Sequence, residues 1–160
     1  MSNKPNPVPP GFHTITPHLV VKGGAAAIDF YKRAFAAEEI SRMPGPGGAL
    51  MHAELKIGDS AIMLADEFPM PNATKAPTTL GGTGVVMHLY VPDCDAAFNR
   101  AVSAGAQVVM PPMNMFWGDR YCQISDPYGH RWSLATHVED VKPEDMPKRM
   151  QEAMSKQNCG

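Results

Sequence analysis

The sequence predicts an α+β protein of two tandem βαβββ modules forming a cupped, barrel-like mixed sheet with helices outside. Three observations carry that prediction. The chain repeats itself: His18-Leu19-Val20-Val21 and His88-Leu89-Tyr90-Val91 each lead through a turn into a helical stretch, at 25–35 and 94–104. Each helix then leaves through small residues, Ala36-Ala37-Glu38 in one copy and Gly105-Ala106-Gln107 in the other. Apolar and polar residues alternate in the segments between, with the period of half-buried strands. A duplicated unit of this size places a binding site where the copies meet.

Taken in order, residues 1–12 are polar and proline-rich and read as a flexible arm, with none of the apolar run of a signal peptide. The first module occupies 13–66. Its opening strand puts Ile15, Leu19 and Val21 on one face and Thr16, His18 and Val20 on the other. The helix follows with Ile28, Tyr31 and Phe35 at three- and four-residue spacing. Residues 38–43 form a short strand, and Pro44-Gly45-Pro46-Gly47-Gly48 forces a turn. Met51, Ala53, Leu55 and Ile57 then alternate with His52, Glu54 and Lys56, and Gly58-Asp59 turns the chain into a strand over 61–65. Residues 67–82, with three prolines, read as a linking loop.

The second module, 83–137, repeats the plan: strands at 84–91, 107–111, 116–124 and 131–136, a helix at 94–104, and an ordinary hairpin turn at Ser125-Asp126-Pro127-Tyr128-Gly129. The tail, 138–160, is expected to hold a helix with Pro143 in its first turn. In each module one strand face is apolar and suited to helices. The other carries histidines and a carboxylate, and so must line something else.

Composition narrows the function classes. With 44% hydrophobic residues and no apolar run near the ~20 residues of a membrane span, the chain reads as globular. A net charge of −2 without a basic block argues against nucleic acid or an anionic membrane as partner. Cys94, Cys122 and Cys159 share no metal-ligand spacing, which points to reduced thiols in the cytoplasm. Twelve methionines fit either core gap-filling or an adaptable apolar pocket. Cys94 begins a helix on the turn away from the presumed cup, so cysteine nucleophile chemistry is disfavoured.

Several motifs, in this order, carry a family resemblance. They are Thr16-Pro17-x-Leu19-Val20-Val21, Ile28-Asp29-Phe30-Tyr31-Lys32-Arg33-Ala34-Phe35, His52-Ala53-Glu54-Leu55-x-Ile57-Gly58-Asp59-Ser60, Leu80-Gly81-Gly82, Phe116-Trp117-Gly118-Asp119-Arg120 and Asp126-Pro127-x-Gly129-His130-x-Trp132. With them the chain resembles the vicinal oxygen chelate superfamily, over residues 13–140, and looks closest to its PhnB-like, glyoxalase/bleomycin-resistance branch. The resemblance implies paired modules around a cup, and a homodimer. Metal-dependent members supply ligands from the first and last strand of each module. Carried over by motif register, those positions here are Thr16, Met63, Val86 and Ser133. None is a usual strong ligand. The resemblance therefore implies the fold and the cup without the usual metal site, and it does not carry glyoxalase I activity over.

The candidate site residues are cup-facing by parity. His18 and His88 lie two residues beyond the vacated ligand positions, and His52 and Glu54 share a face of their own strand. One reading has His18, His52, His88 and Ser133 bind a small polar or aromatic ligand, with Glu54 as general base. The alternative is a divalent-metal enzyme of the lyase, isomerase or dioxygenase type, using a displaced His18/Glu54/His88 set. Tyr90, Trp117 and Tyr121 would stack a flat ligand, and Arg120 would read an anionic group. Arg120 has the opposite parity and needs a bulge or strand end to reach that side. Asp119 and Arg120 could equally brace the neighbouring loop. Trp132 reads as core, and His13, His130 and His137 as structural.

Overall fold

In both modules a strand, a helix and three further strands follow one another, as the repeat requires. The first module holds β1 (His18–Val21), α1 (Gly24–Phe35), β2 (Glu38–Pro44), β3 (Leu50–Ile57) and β4 (Ser60–Asp66). After a short helix, α2 (Pro77–Leu80), the second holds β5 (Val86–Tyr90), α3 (Cys94–Ala104), β6 (Gln107–Asn114), β7 (Asp119–Ser125) and β8 (Arg131–His137), and α4 (Met146–Gln157) closes the chain. The computed structural model describes residues 4–157, so the first residues of the expected arm, and Cys159, lie outside it. Residues 4–12 form no helix or strand.

The strands make two four-stranded sheets, ordered β1-β4-β3-β2 and β5-β8-β7-β6. β1 runs parallel to β4 and β5 parallel to β8, and the remaining pairs are antiparallel. This is the expected α+β architecture, with the sheets left open. The inner edges β1 and β5 are not hydrogen-bonded to each other, so no closed barrel forms.

The helices start differently in the two copies. α3 has a side-chain cap: Asp93 Oδ1 accepts from Ala96 N at 2.9 Å. α1 begins after Gly23, which has no side chain to offer, and its orphan amides are served from the far end of the module. Asp66 Oδ1 accepts from Gly23 N and Gly24 N, both at 2.8 Å, while its Oδ2 accepts from Leu50 N at 2.7 Å. Gly24 must be glycine, because a Cβ there would lie 2.6 Å from Leu50 Cβ. One carboxylate thus ties β4, β3 and the start of α1 together.

α1 packs on the first sheet and α3 on the second, and the helices pack on each other. The apolar strand faces and both helices share one core, in which Phe30, Tyr31, Leu55, Leu64, Ile124, Trp132 and Leu134 are fully buried. Trp132 is core, as its parity indicates. The modules are joined by polar contacts as well. Asp126 accepts from Tyr31 Oη at 2.7 Å and Trp132 Nε1 at 2.8 Å through Oδ2, and from the amides of Tyr128 and His130, both at 2.9 Å, through Oδ1. Arg100 Nε donates to Ala34 O at 2.9 Å.

Five expectations need correction. β1 begins only at His18, so Ile15 lies outside it and is exposed instead of sharing the buried face of Leu19 and Val21. β7 begins at Asp119, which leaves Trp117 in the turn before it. The linker is not wholly loop, because Pro77 starts a single helical turn, α2, closed by Gly81 at φ 80°. The terminal helix starts at Met146 with Pro147, not Pro143, in its first turn. β6 extends through Pro111-Pro112 to Asn114, with register shifts against β7, since an edge strand tolerates prolines. Among the described residues no helix is long and apolar enough to cross a membrane.

Candidate functional site

The strand faces turned away from the helices carry most of the candidate residues, in two separate groups. On the first sheet the His18 and His52 rings meet edge to face at 5.8 Å. His52 Nε2 lies 3.7 Å from Glu54 Oε1, and Ser41 Oγ donates to Glu54 Oε2 at 3.1 Å. Burial, and then the neighbouring His52 imidazole, lower the His18 pKa and favour its neutral form.

On the second sheet the grouping is tighter and more aromatic. β5 and β8 place His88 directly beside Ser133, and Ser133 Oγ lies 2.7 Å from His88 Nδ1. Ser133 is only 1% exposed, so this contact holds the imidazole from below. Around it stand Tyr90, edge-on at 4.6 Å, and Tyr121, stacked at 6.0 Å. Trp117 meets Tyr121 edge to face at 5.6 Å, and Gln123 Nε2 donates to Tyr121 Oη at 2.7 Å. Tyr90 is 68% exposed, an unusual position for a large ring.

Two clefts open along the seam between the modules. The larger, about 760 Å³, is lined by His88 and Tyr90, the α3 start around Asp93 and Arg100, and the β3–β4 hairpin with Lys56 and Ser60. The smaller, about 370 Å³, holds His18, Lys75, Met87 and His130, whose Nε2 lies 3.0 Å from Val20 O. His18 and His88 therefore belong to different clefts. Among the described residues no three His, Cys, Asp or Glu side chains gather closely enough to hold a metal ion, so the displaced His18/Glu54/His88 set is not assembled.

The family ligand positions do not fit a metal either. Thr16 Oγ1 donates to His13 O at 3.1 Å, Ser133 is bonded to His88, Met63 offers a soft thioether and Val86 no donor.

Arg120 is not in the aromatic group. Its Nε and Nη2 bind both oxygens of Asp95 on α3, at 2.8 and 2.7 Å, as its opposite parity foreshadowed. It braces the helix. Trp117 is anchored: its Nε1 donates at 2.9 Å to the buried Asp119. Lys56, Arg100 and Gln123 were missed as site residues. Gln123 shares parity with Tyr121 and was legible, whereas Arg100 sits on a helix whose cleft-facing side depends on how the modules pack.

Paired βαβββ modules, each a four-stranded mixed sheet backed by a helix, with a cleft at their seam lined by His88 and Tyr90, define the class of fold. The chain belongs to the Glyoxalase/Bleomycin resistance protein/Dioxygenase superfamily, whose model matches residues 11–134. A curated relative, an uncharacterised protein of Mycobacterium tuberculosis, is 48% identical over 148 residues, which span 91% of this chain and 85% of that protein. Among solved structures, TioX of Micromonospora sp. ML1 is similar at a TM-score of 0.63 and 28% identity, over 79% of this chain and 99% of that one. A PhnB protein of Bacillus cereus is similar at a TM-score of 0.60 and 21% identity, over 78% of this chain and 99% of that one, which speaks to the fold.

Proposed function

We propose that the protein binds a small aromatic molecule bearing a polar group, seated in the larger cleft against Tyr90 and His88. The observation that carries this reading is Tyr90, a large ring left open to solvent at 4.6 Å from His88, an imidazole whose other side is fixed by Ser133. Stacking supplies affinity, and His88 Nε2, which has no hydrogen-bond partner among the described residues, orients the polar group. Lys56 and Arg100 line the cleft together with Glu38, Asp59 and Asp93, so the lining carries charge of both signs. His18, His52 and Glu54 line the other sheet and complete the cup only for a ligand that spans the seam; Glu54 is the group available there for proton transfer. The free thiols Cys94 and Cys122 fit a reducing cytoplasm. The family resemblance supports a homodimer, and a monomer mass by light scattering would refute that part.

A fluorescence titration with anilinonaphthalene sulfonate, a planar aromatic anion, tests the site. Tyr90→Ala should weaken binding about three- to tenfold, the equivalent of ~0.5–1.5 kcal/mol of ring contact. Unchanged affinity in both Tyr90→Ala and His88→Ala would overturn the reading. So would stoichiometric metal, found by elemental analysis of untagged protein, that disappears in His88→Ala.

A further inference from the structure

A chain of contacts runs from the C-terminal segment to the aromatic group. Trp117 Nε1 donates to Asp119 Oδ2 at 2.9 Å, and Asp119 Oδ1 lies 2.9 Å from His137 Nδ1. His137 Nε2 in turn lies 2.9 Å from Asp140 Oδ1. Asp119 is buried, whereas His137 is half exposed and Asp140 lies in water. The backbone follows the same route: Val138 N and Glu139 N both donate to Gly118 O, at 2.9 and 3.0 Å. Gly118 has φ +100°, and a Cβ there would run into Glu139 O, so the segment crosses directly over the residue next to Trp117. Beyond it, Glu139 is paired with Arg149 of α4, at 2.9 Å to Nη1.

An imidazole between two carboxylates can satisfy both only when doubly protonated, because the neutral ring carries one N–H. The groups facing His137 are Asp119 from β7 and Asp140 from the tail, with Glu139 and Arg149 paired to each other alongside. We propose that His137 is a positioning residue: through Asp119 it sets the indole of Trp117, and its protonation fastens the C-terminal segment over the aromatic wall. The effect on a ligand rests on the binding reading above, since Trp117 reaches the cleft through Tyr121 and His88. The coupling itself does not rest on it.

The direction follows from charge. The bonds to Asp140 and Asp119 raise the His137 pKa above 6.5. The part of the fastening that His137 supplies, beside the main-chain bonds of Val138 and Glu139 to Gly118, is therefore complete below about 6.5 and is lost as pH rises through the higher, folded-state value.

The test follows the indole N–H resonances of the full chain through a pH titration, with Trp132, bonded to Asp126, as the internal reference. Trp117 should shift with a midpoint above 6.5, His137→Gln should abolish the shift, and Asp140→Asn should move the midpoint down towards 6.5. A Trp117 resonance that is flat in the native protein, or that titrates equally in His137→Gln, overturns the coupling. Anilinonaphthalene sulfonate should bind about fivefold more tightly near pH 6 than near pH 9, the scale of a modest allosteric coupling. His137→Gln should lose the part of that difference owed to the fastening, and ionisations common to both proteins cancel in the comparison. Equal pH dependence in the two overturns the link to the cleft. A titrating Trp117 with no dye binding at any pH supports the coupling and overturns the ligand reading.

Discussion

The contact joining the modules at Asp126 makes a quantitative stability prediction. Asp126→Ala removes four acceptor contacts at once. The amides of Tyr128 and His130 are only partly buried and can turn to water. Tyr31 Oη and Trp132 Nε1 cannot, because both residues are 0% exposed. Stranding a buried donor costs about 1–3 kcal/mol, so two give about 4 kcal/mol, or roughly 12 °C in Tm for a chain of this size. Tyr31→Phe leaves Asp126 with its other three donors and should cost only about 1–2 kcal/mol. Urea unfolding followed by circular dichroism measures both, and a double-mutant cycle of Tyr31→Phe with Asp126→Asn isolates the pair, with an expected coupling of about 1 kcal/mol or more. A loss below about 1 kcal/mol for Asp126→Ala, or strict additivity in the cycle, would show that the Asp126 contact does not hold the modules together. The same contact predicts an alkaline signature. Burial, and then the Asp126 charge, push the Tyr31 pKa well above 10, so its contribution is intact below about 10 and is lost at higher pH as the unfolded chain ionises. Tyr31→Phe should flatten that decline.

Other substitutions probe single features. Ala36 ends α1 at φ 54°, a left-handed conformation costly for alanine, so Ala36→Gly should raise stability by about 0.5–1 kcal/mol in the same assay. The Cys94 and Cys122 sulfurs lie 3.7 Å apart; burial raises the Cys94 pKa, and burial followed by the neighbouring Cys94 pushes Cys122 up to about 12. In a Cys159→Ser background, neither should react with dithionitrobenzoate near pH 8 until denaturant is added; reaction at the rate of a free thiol would refute their burial. Arg120→Ala should leave anilinonaphthalene sulfonate affinity unchanged, because that guanidinium is held by Asp95. A loss matching that of Tyr90→Ala would contradict its placement.

The duplicated plan was legible because strand and helix periods are local properties: the parity of Trp132, of Tyr90 with His88, and of Arg120 against Tyr121 could all be read from spacing. What escaped depends on contacts between distant residues. Asp126 reads as the first residue of a common hairpin turn, and nothing local shows that its second oxygen reaches Tyr31 in the other module. Asp66 looks like a strand terminus, yet it serves the helix amides that Gly23 leaves bare. His137 reads as a structural residue at a strand end, although its two carboxylate partners lie on opposite sides of it in sequence. The separation of His18 from His88 was equally hidden, since parity places both on the open side without saying how far apart the modules hold them.

The missing main-chain ladder between β1 and β5 has a consequence for how such a cleft changes over time. Among the described residues no main-chain ladder fixes the spacing of the two sheets, so it follows the layer behind them, where α1 and α3 pack on each other and bury small side chains such as Ala27, Ala34 and Ala101. Separations between packed helices scale with the side chains at the crossing. Enlarging one of these alanines would act as a shim, re-spacing the walls of the cleft without altering any residue that lines it from the strands. Ligand size and ligand chemistry can then be adjusted at separate sets of positions.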